Sequence, residues 1–252
     1  MSRRTKIWSL VILTVAGSAG VLSWRAIPQE EAYHNFCDRR ALWGIPNFAN
    51  VISNLGFCVA GAAGLFCVWL STASKGLKLI YYVVFSGIFL TGLGSGLYHC
   101  RPDDGMLVFD RLPMSIVFMG MVAAAMEEGI GPGVGATFLW PLVGAGFISV
   151  WWWHHTGSGG AGDLRLYILV QYYPLLLVPA VLLMFSNPRV RRGWRPLLFC
   201  FGLYALAKIA ETLDCSIYTF LRTVSGHTLK HLIAALATGF LVVRFRIMHA
   251  SL

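Results

Sequence analysis

The sequence predicts an all-α integral membrane protein, a bundle of seven transmembrane helices with one additional helix at the N-terminus. Three observations carry that reading. First, 57% of the 252 residues are hydrophobic and only 12% are charged, about half the charge of an ordinary soluble domain. Second, the apolar residues fall in eight runs, most of them close to the roughly 20 residues that a helix needs to cross the hydrocarbon core. Third, the runs do not alternate, whereas the strands of a membrane barrel are about 10 residues of apolar and polar positions in turn. The apolar content also excludes a disordered chain, and Cys 6 in such a length is too sparse for a disulfide scaffold. The net charge of +9 does not mark a nucleic-acid partner, because Lys and Arg sit in short clusters between the apolar runs.

The first run, 7–23, follows Arg3, Arg4 and Lys6 and contains small residues at 16–20. It reads as a transmembrane helix or signal anchor occupying residues 1–30; a secretory signal has the same features. Residues 31–252 hold the other seven runs: 48–70, 79–98, 112–126, 136–153, 164–185, 197–213 and 229–243. The run 112–126 is short, and 197–213 carries Lys208 and Glu211. Neither an internal repeat nor a soluble domain is visible.

Orientation follows from where the basic residues lie. Arg3, Arg4, Lys6, Lys75, Lys78, Arg189, Arg191, Arg192, Arg195, Arg244 and Arg246 share one side. The other side has fewer cations, among them Arg111 and Lys230, and most of the acids. Both termini are therefore expected in the cytoplasm, with the loops 24–47, 99–111, 154–163 and 214–228 facing outward. Compact loops fit a bacterial inner membrane.

Ionisable groups in apolar helices are costly, so each is a functional candidate. Ser95 and His99 end the third run, Asp110 begins the fourth, and His227 and His231 begin the eighth. All five fall at the same outward membrane level. His227 and His231 are four apart, which stacks both rings on one helix face. Either they are satisfied histidines near a helix start, or they ligate one metal. With His99 they would make three protein ligands with one position left for water, the pattern of a catalytic zinc site. Ser95 could donate to a developing oxyanion, or merely allow close helix packing between Gly94 and Gly96. Asp110 could take a proton or orient a ligand histidine, or be a solvated carboxylate paired with Arg111.

Ser95-x3-His99, Asp110 in the stretch Phe-Asp-Arg-Leu-Pro-Met114, and His227-x3-His231 resemble the alkaline ceramidases. These belong to a wider superfamily of seven-helix membrane hydrolases that includes adiponectin-receptor-like proteins. The stretch from Pro46 to Asn54 resembles the opening of that family's first core helix, and the likeness runs from about Tyr33 to Val243. It implies Zn2+ held by His99, His227 and His231, Asp110 as general base and Ser95 at the oxyanion. It implies hydrolysis of ceramide or a related long-chain amide, the lipid entering from the bilayer between helices. It also implies a disulfide between Cys37 and Cys215, with Cys100 as competing partner, and a Ca2+ loop using Asn35, Asp38 and Asn47. Arg40 departs from that calcium pattern by placing a positive charge where an oxygen is needed.

Other readings stay open. A receptor or sensor with structural zinc would show a fourth protein ligand. A serine intramembrane protease would use Ser95. A transporter is prompted by Lys208, Glu211 and Asp214, although no repeat or broken helix pair is apparent in the sequence. Those three residues otherwise buttress the bundle. His34 is expected near the mouth of the site, and His154 and His155 in solvent beside the glycine-rich stretch 157–162. The run Trp151, Trp152, Trp153 reads as an interfacial aromatic belt, and Cys58, Cys67 and Cys200 as core. Oligomeric state is not legible.

Overall fold

A computed structural model describes residues 1–157, 160 and 162–249; the middle of the glycine-rich stretch lies outside the described residues. Those residues form helices and no strand. The helices are α1 (Arg3–Ser23), α2 (Phe48–Ser53), α3 (Leu55–Leu70), α4 (Lys75–Cys100), α5 (Asp104–Ala125), α6 (Val134–Gly157), α7 (Arg165–Met184), α8 (Pro188–Arg192), α9 (Trp194–Thr212), α10 (Asp214–Leu221) and α11 (Gly226–His249). A π-helical turn, Met126–Ile130, extends α5.

Among the described residues 7 helices are long and apolar enough to cross a membrane: α1, the pair α2–α3, α4, α5 with its π turn, α6, α7 and α11. The predicted run at 197–213 joins them only as a bent pair, because α9 and α10 meet at 77°. Lys208 and Glu211 dilute the apolar content of α9, and Leu213 sits at the bend.

Side-chain caps begin several of these helices. Ser74 accepts the Leu77 amide at α4, and Asp103 accepts the Met106 amide at α5. The Asp103 cap starts α5 earlier than the apolar run suggested. Asp110 therefore lies within the helix and not at its beginning.

The helices pack in the order α9–α11–α3–α4–α5, with α6 and α7 against α5 and α1 against α7. α7 and α9 do not pack along each other. A lateral gap remains between them, crossed at one level by a hydrogen bond from Gln171 Nε2 to Tyr204 Oη, 3.0 Å. One apolar core fills the bundle, and a smaller one under Phe36, Tyr98, Leu107 and Trp153 closes the end that holds the site.

Three sequence expectations change. Trp153 is buried beneath Arg111 and only Trp151 and Trp152 face outward; a helical step of about 100° turns the third ring inward. Arg244 is not a loop cation. It is buried and ion-paired with Glu128, whose carboxylate also meets Tyr81 and His249. Arg111 and Lys230 likewise belong to the interior of the bundle. Removing all three from the topology count widens the asymmetry between the two sides.

Candidate metal centre and its cavity

The loops 24–47, 101–103, 213 and 222–225 gather at one end of the bundle. Cys37 and Cys215 are joined by a disulfide there, with Cα atoms 5.2 Å apart, and Cys100 is free. Arg40 Nη2 donates to the Thr223 carbonyl at 2.6 Å. Asp214 accepts two backbone amides, from Cys37 at 3.0 Å and from His227 at 2.7 Å. The second bond satisfies an otherwise unpaired donor at the start of α11. Gly226 is required at this junction, since a Cβ would collide with the Ala210 carbonyl and with Asp214.

Directly below, the structure brings His99, His227 and His231 together. All three are buried, and their ligating nitrogens lie within 4.8 Å of one another. His99 Nε2 and His231 Nε2 are 3.2 Å apart. Two arms of 2.0–2.1 Å meeting at a tetrahedral angle span about 3.3 Å, so this separation fits a shared divalent ion. His231 Nδ1 lies 2.9 Å from Ser53 Oγ, and that hydroxyl donates to the Asn50 carbonyl at 3.0 Å. Ser53 therefore accepts from Nδ1–H, which leaves the Nε2 lone pair facing the cluster. His99 Nδ1 is buried without a partner among the described residues. Phe36 covers the cluster, its ring 4.6 Å from that of His99 and 4.7 Å from that of His227. This donor set of three imidazoles is compatible with zinc.

Ser95 faces the Asp110 carboxylate. Both are buried, so the solvated alternative for Asp110 does not hold, and among the described residues no ion pair joins it to Arg111. The close approach of α4 and α5 depends on Gly94, where a Cβ would overlap the Phe109 carbonyl. Gly94 is thus the packing residue, which frees Ser95 to point at Asp110.

Ser95, Asp110 and His231 line a cavity of about 460 Å³ between α4, α5, α7, α9 and α11. Lys208 and Lys230 share Glu211 at its polar end; the Lys230–Glu211 distance is 2.8 Å and Lys208 pairs with the other carboxylate oxygen. Lys230 Nζ also lies 3.2 Å from His227 Nε2. The opposite end is apolar, reaching Val178, Cys200 and Leu241. From Lys230 to Leu241 is eleven residues along α11, or about 16 Å of helix rise.

Phe36, Ser53 and Lys230 were not singled out by sequence reasoning. Lys230, one turn on from His227, carried the only signal. His34 is held between Tyr98 at 3.0 Å and Asp104 at 3.1 Å, outside the cavity lining. His155 stacks on Trp151.

The calcium loop does not fit. Arg40 donates to both Asp38 oxygens at 2.8 Å, Arg39 holds the Asn35 oxygen at 2.7 Å, and Asn47 Nδ2 donates to the His99 carbonyl at 2.9 Å. A guanidinium occupies the place where the cation would need oxygens.

Fold and site together define a multi-pass helical membrane protein whose buried trihistidine cluster adjoins a largely apolar cavity. The family profile described as Ceramidase matches residues 29–251, and the chain belongs to that family. It is a ceramidase-like hydrolase of the membrane. No curated protein matches the chain.

Proposed function

We propose that the protein is a zinc-dependent intramembrane amidase that hydrolyses ceramide or a related long-chain amide to a sphingoid base and a fatty acid. The observation that carries this reading is a group of three buried histidines, without a fourth Cys, Asp or Glu ligand among the described residues, set against a cavity that also presents Asp110. A structural or sensor zinc is commonly closed by a fourth protein ligand. The Ser95 hydroxyl faces a carboxylate and hydrogen-bonds to no histidine among the described residues, which argues against Ser95 as a base-activated nucleophile.

When bound, zinc would supply Lewis acidity and make a water molecule acidic near neutral pH. Asp110 accepts the proton of the attacking water on a carboxylate oxygen and returns it to the departing amide nitrogen. Ser95 donates to the oxygen that gains charge as the carbonyl becomes tetrahedral. Phe36 and the tethered loop above it exclude bulk water. The acyl chain lies toward Val178 and Leu241, and the lipid reaches the site through the gap between α7 and α9. We place the site at the extracytoplasmic face; the basic clusters at the opposite end and a disulfide that needs an oxidising compartment support that placement.

The test is metal analysis of the purified protein with hydrolysis of a fluorescent ceramide, for wild type and His231→Ala. We expect about one zinc per chain, in line with a three-ligand site, and loss of both metal and turnover in the variant. Turnover that survives His231→Ala overturns the mechanism.

A further inference from the structure

Three cations and three anions line the cavity: Arg111, Lys208 and Lys230 with Glu30, Asp110 and Glu211. Glu211 is shared by both lysines. Arg111 is 5% exposed and has no carboxylate partner among the described residues. Its Nη2 donates to the neutral Gln29 Oε1 at 2.5 Å, and its Nη1 is buried with no hydrogen-bond partner. The guanidinium lies 4.1 Å from the ring centre of Trp153, 4.8 Å from that of Tyr167 and 5.4 Å from that of Tyr33. Those rings favour a cation but bring no countercharge. Glu30, at the same end, is exposed and makes no ion pair with Arg111.

A buried cation without an anion is costly, and a guanidinium presents a planar fork matched to carboxylate, phosphate or sulfonate oxygens. Arg111 and Asp110 line the same cavity, so an anion taken by Arg111 lies in the chamber that would hold the reacting amide. The apolar end of the cavity is farther along the same helices. We propose that Arg111 selects a long-chain amide whose head, on the amine side, carries an anionic group. This names the substrate class and rests on the amidase reading given above.

The experiment uses the full chain in nanodiscs of neutral phosphatidylcholine. Three amides with one fluorescent acyl chain are compared: neutral ceramide, its 1-phosphate, and the N-acyl derivative of an amino acid. The two acidic arms distinguish phosphate from carboxylate as the source of the anion. At least one acidic amide is expected to exceed ceramide in kcat/KM by tenfold or more. That ratio should fall to within twofold of unity in Arg111→Gln and be kept in part by Arg111→Lys. Equal or better use of neutral ceramide by the wild type overturns the proposal without any variant, as does a preference that persists in Arg111→Gln. Binding of hexadecyl phosphate against hexadecanol to the wild type separates the two readings. A tenfold preference for the phosphate with no amide hydrolysed supports the anion site and removes the amidase. Amide hydrolysis with no such preference, in binding or in kcat/KM, removes the anion site alone.

Discussion

The Asp214 carboxylate accepts the His227 backbone amide at 2.7 Å, so the residue at the α9–α10 bend sets the start of the helix that carries two of the three histidines. Its other oxygen holds the Cys37 amide at 3.0 Å, beside the disulfide and next to Phe36. One side chain thus ties the loop that carries Phe36, the bend and the histidine cluster together. Asp214→Ala leaves two amides without that partner. We expect a loss of about 1–3 kcal/mol in stability and weaker metal binding, read by thermal unfolding in detergent and by metal titration.

For Asp110→Asn we expect retained metal and a fall in kcat of order 10²-fold or more, as for loss of a general base. The carboxamide keeps the shape of the side chain but cannot accept the proton. Unchanged turnover with full metal content would make Asp110 a bystander.

Ser53→Ala removes the acceptor for His231 Nδ1–H while leaving all three histidines in place. Partners of this kind are typically worth 10–100-fold in metal affinity. Competition with a chelator of known affinity measures the change, and an unaltered affinity would show that Ser53 does not fix the ring.

Acid should loosen the loop above the site before it unfolds the bundle. The Arg40 guanidinium beside Asp38 holds its carboxyl below the usual carboxylate range, and Arg165 does the same for Asp163. A carboxyl with a depressed folded value stabilises fully above its unfolded value, near pH 4, and loses that contribution as pH falls through the folded one. The protection of the amides of residues 36–40 against hydrogen exchange, taken relative to the intrinsic rate at each pH, should therefore stay high at neutral pH and fall below about pH 4. Arg40→Gln should move that onset upward, and an onset unchanged by the substitution would rule out the ion pair as its cause.

The bundle was legible because membrane helices announce themselves by apolar length, and burial needs no knowledge of partners. The histidines could be grouped because topology alone places 99, 227 and 231 at one membrane level. What the sequence hid was rotation about the helix axis and the reach of side chains between helices. Arg244 and Arg111 look like loop charges next to apolar runs, yet one closes on Glu128 from α11 and the other stacks on Trp153 from α6. Ser53 is one small polar residue among several, and its role depends on a ring 178 positions away. Calcium was implied only by the family resemblance, and Arg40 already spoke against it; the folded loop adds Arg39, which holds the Asn35 oxygen as Arg40 holds Asp38.

The proposed entry between α7 and α9 has a kinetic consequence. On that route the substrate is drawn from one leaflet and not from water, so its abundance is counted as moles per mole of surrounding lipid. Adding inert detergent at constant molarity of substrate then slows the reaction by thinning the surface, and rates compared between preparations are meaningful only at matched mole fraction.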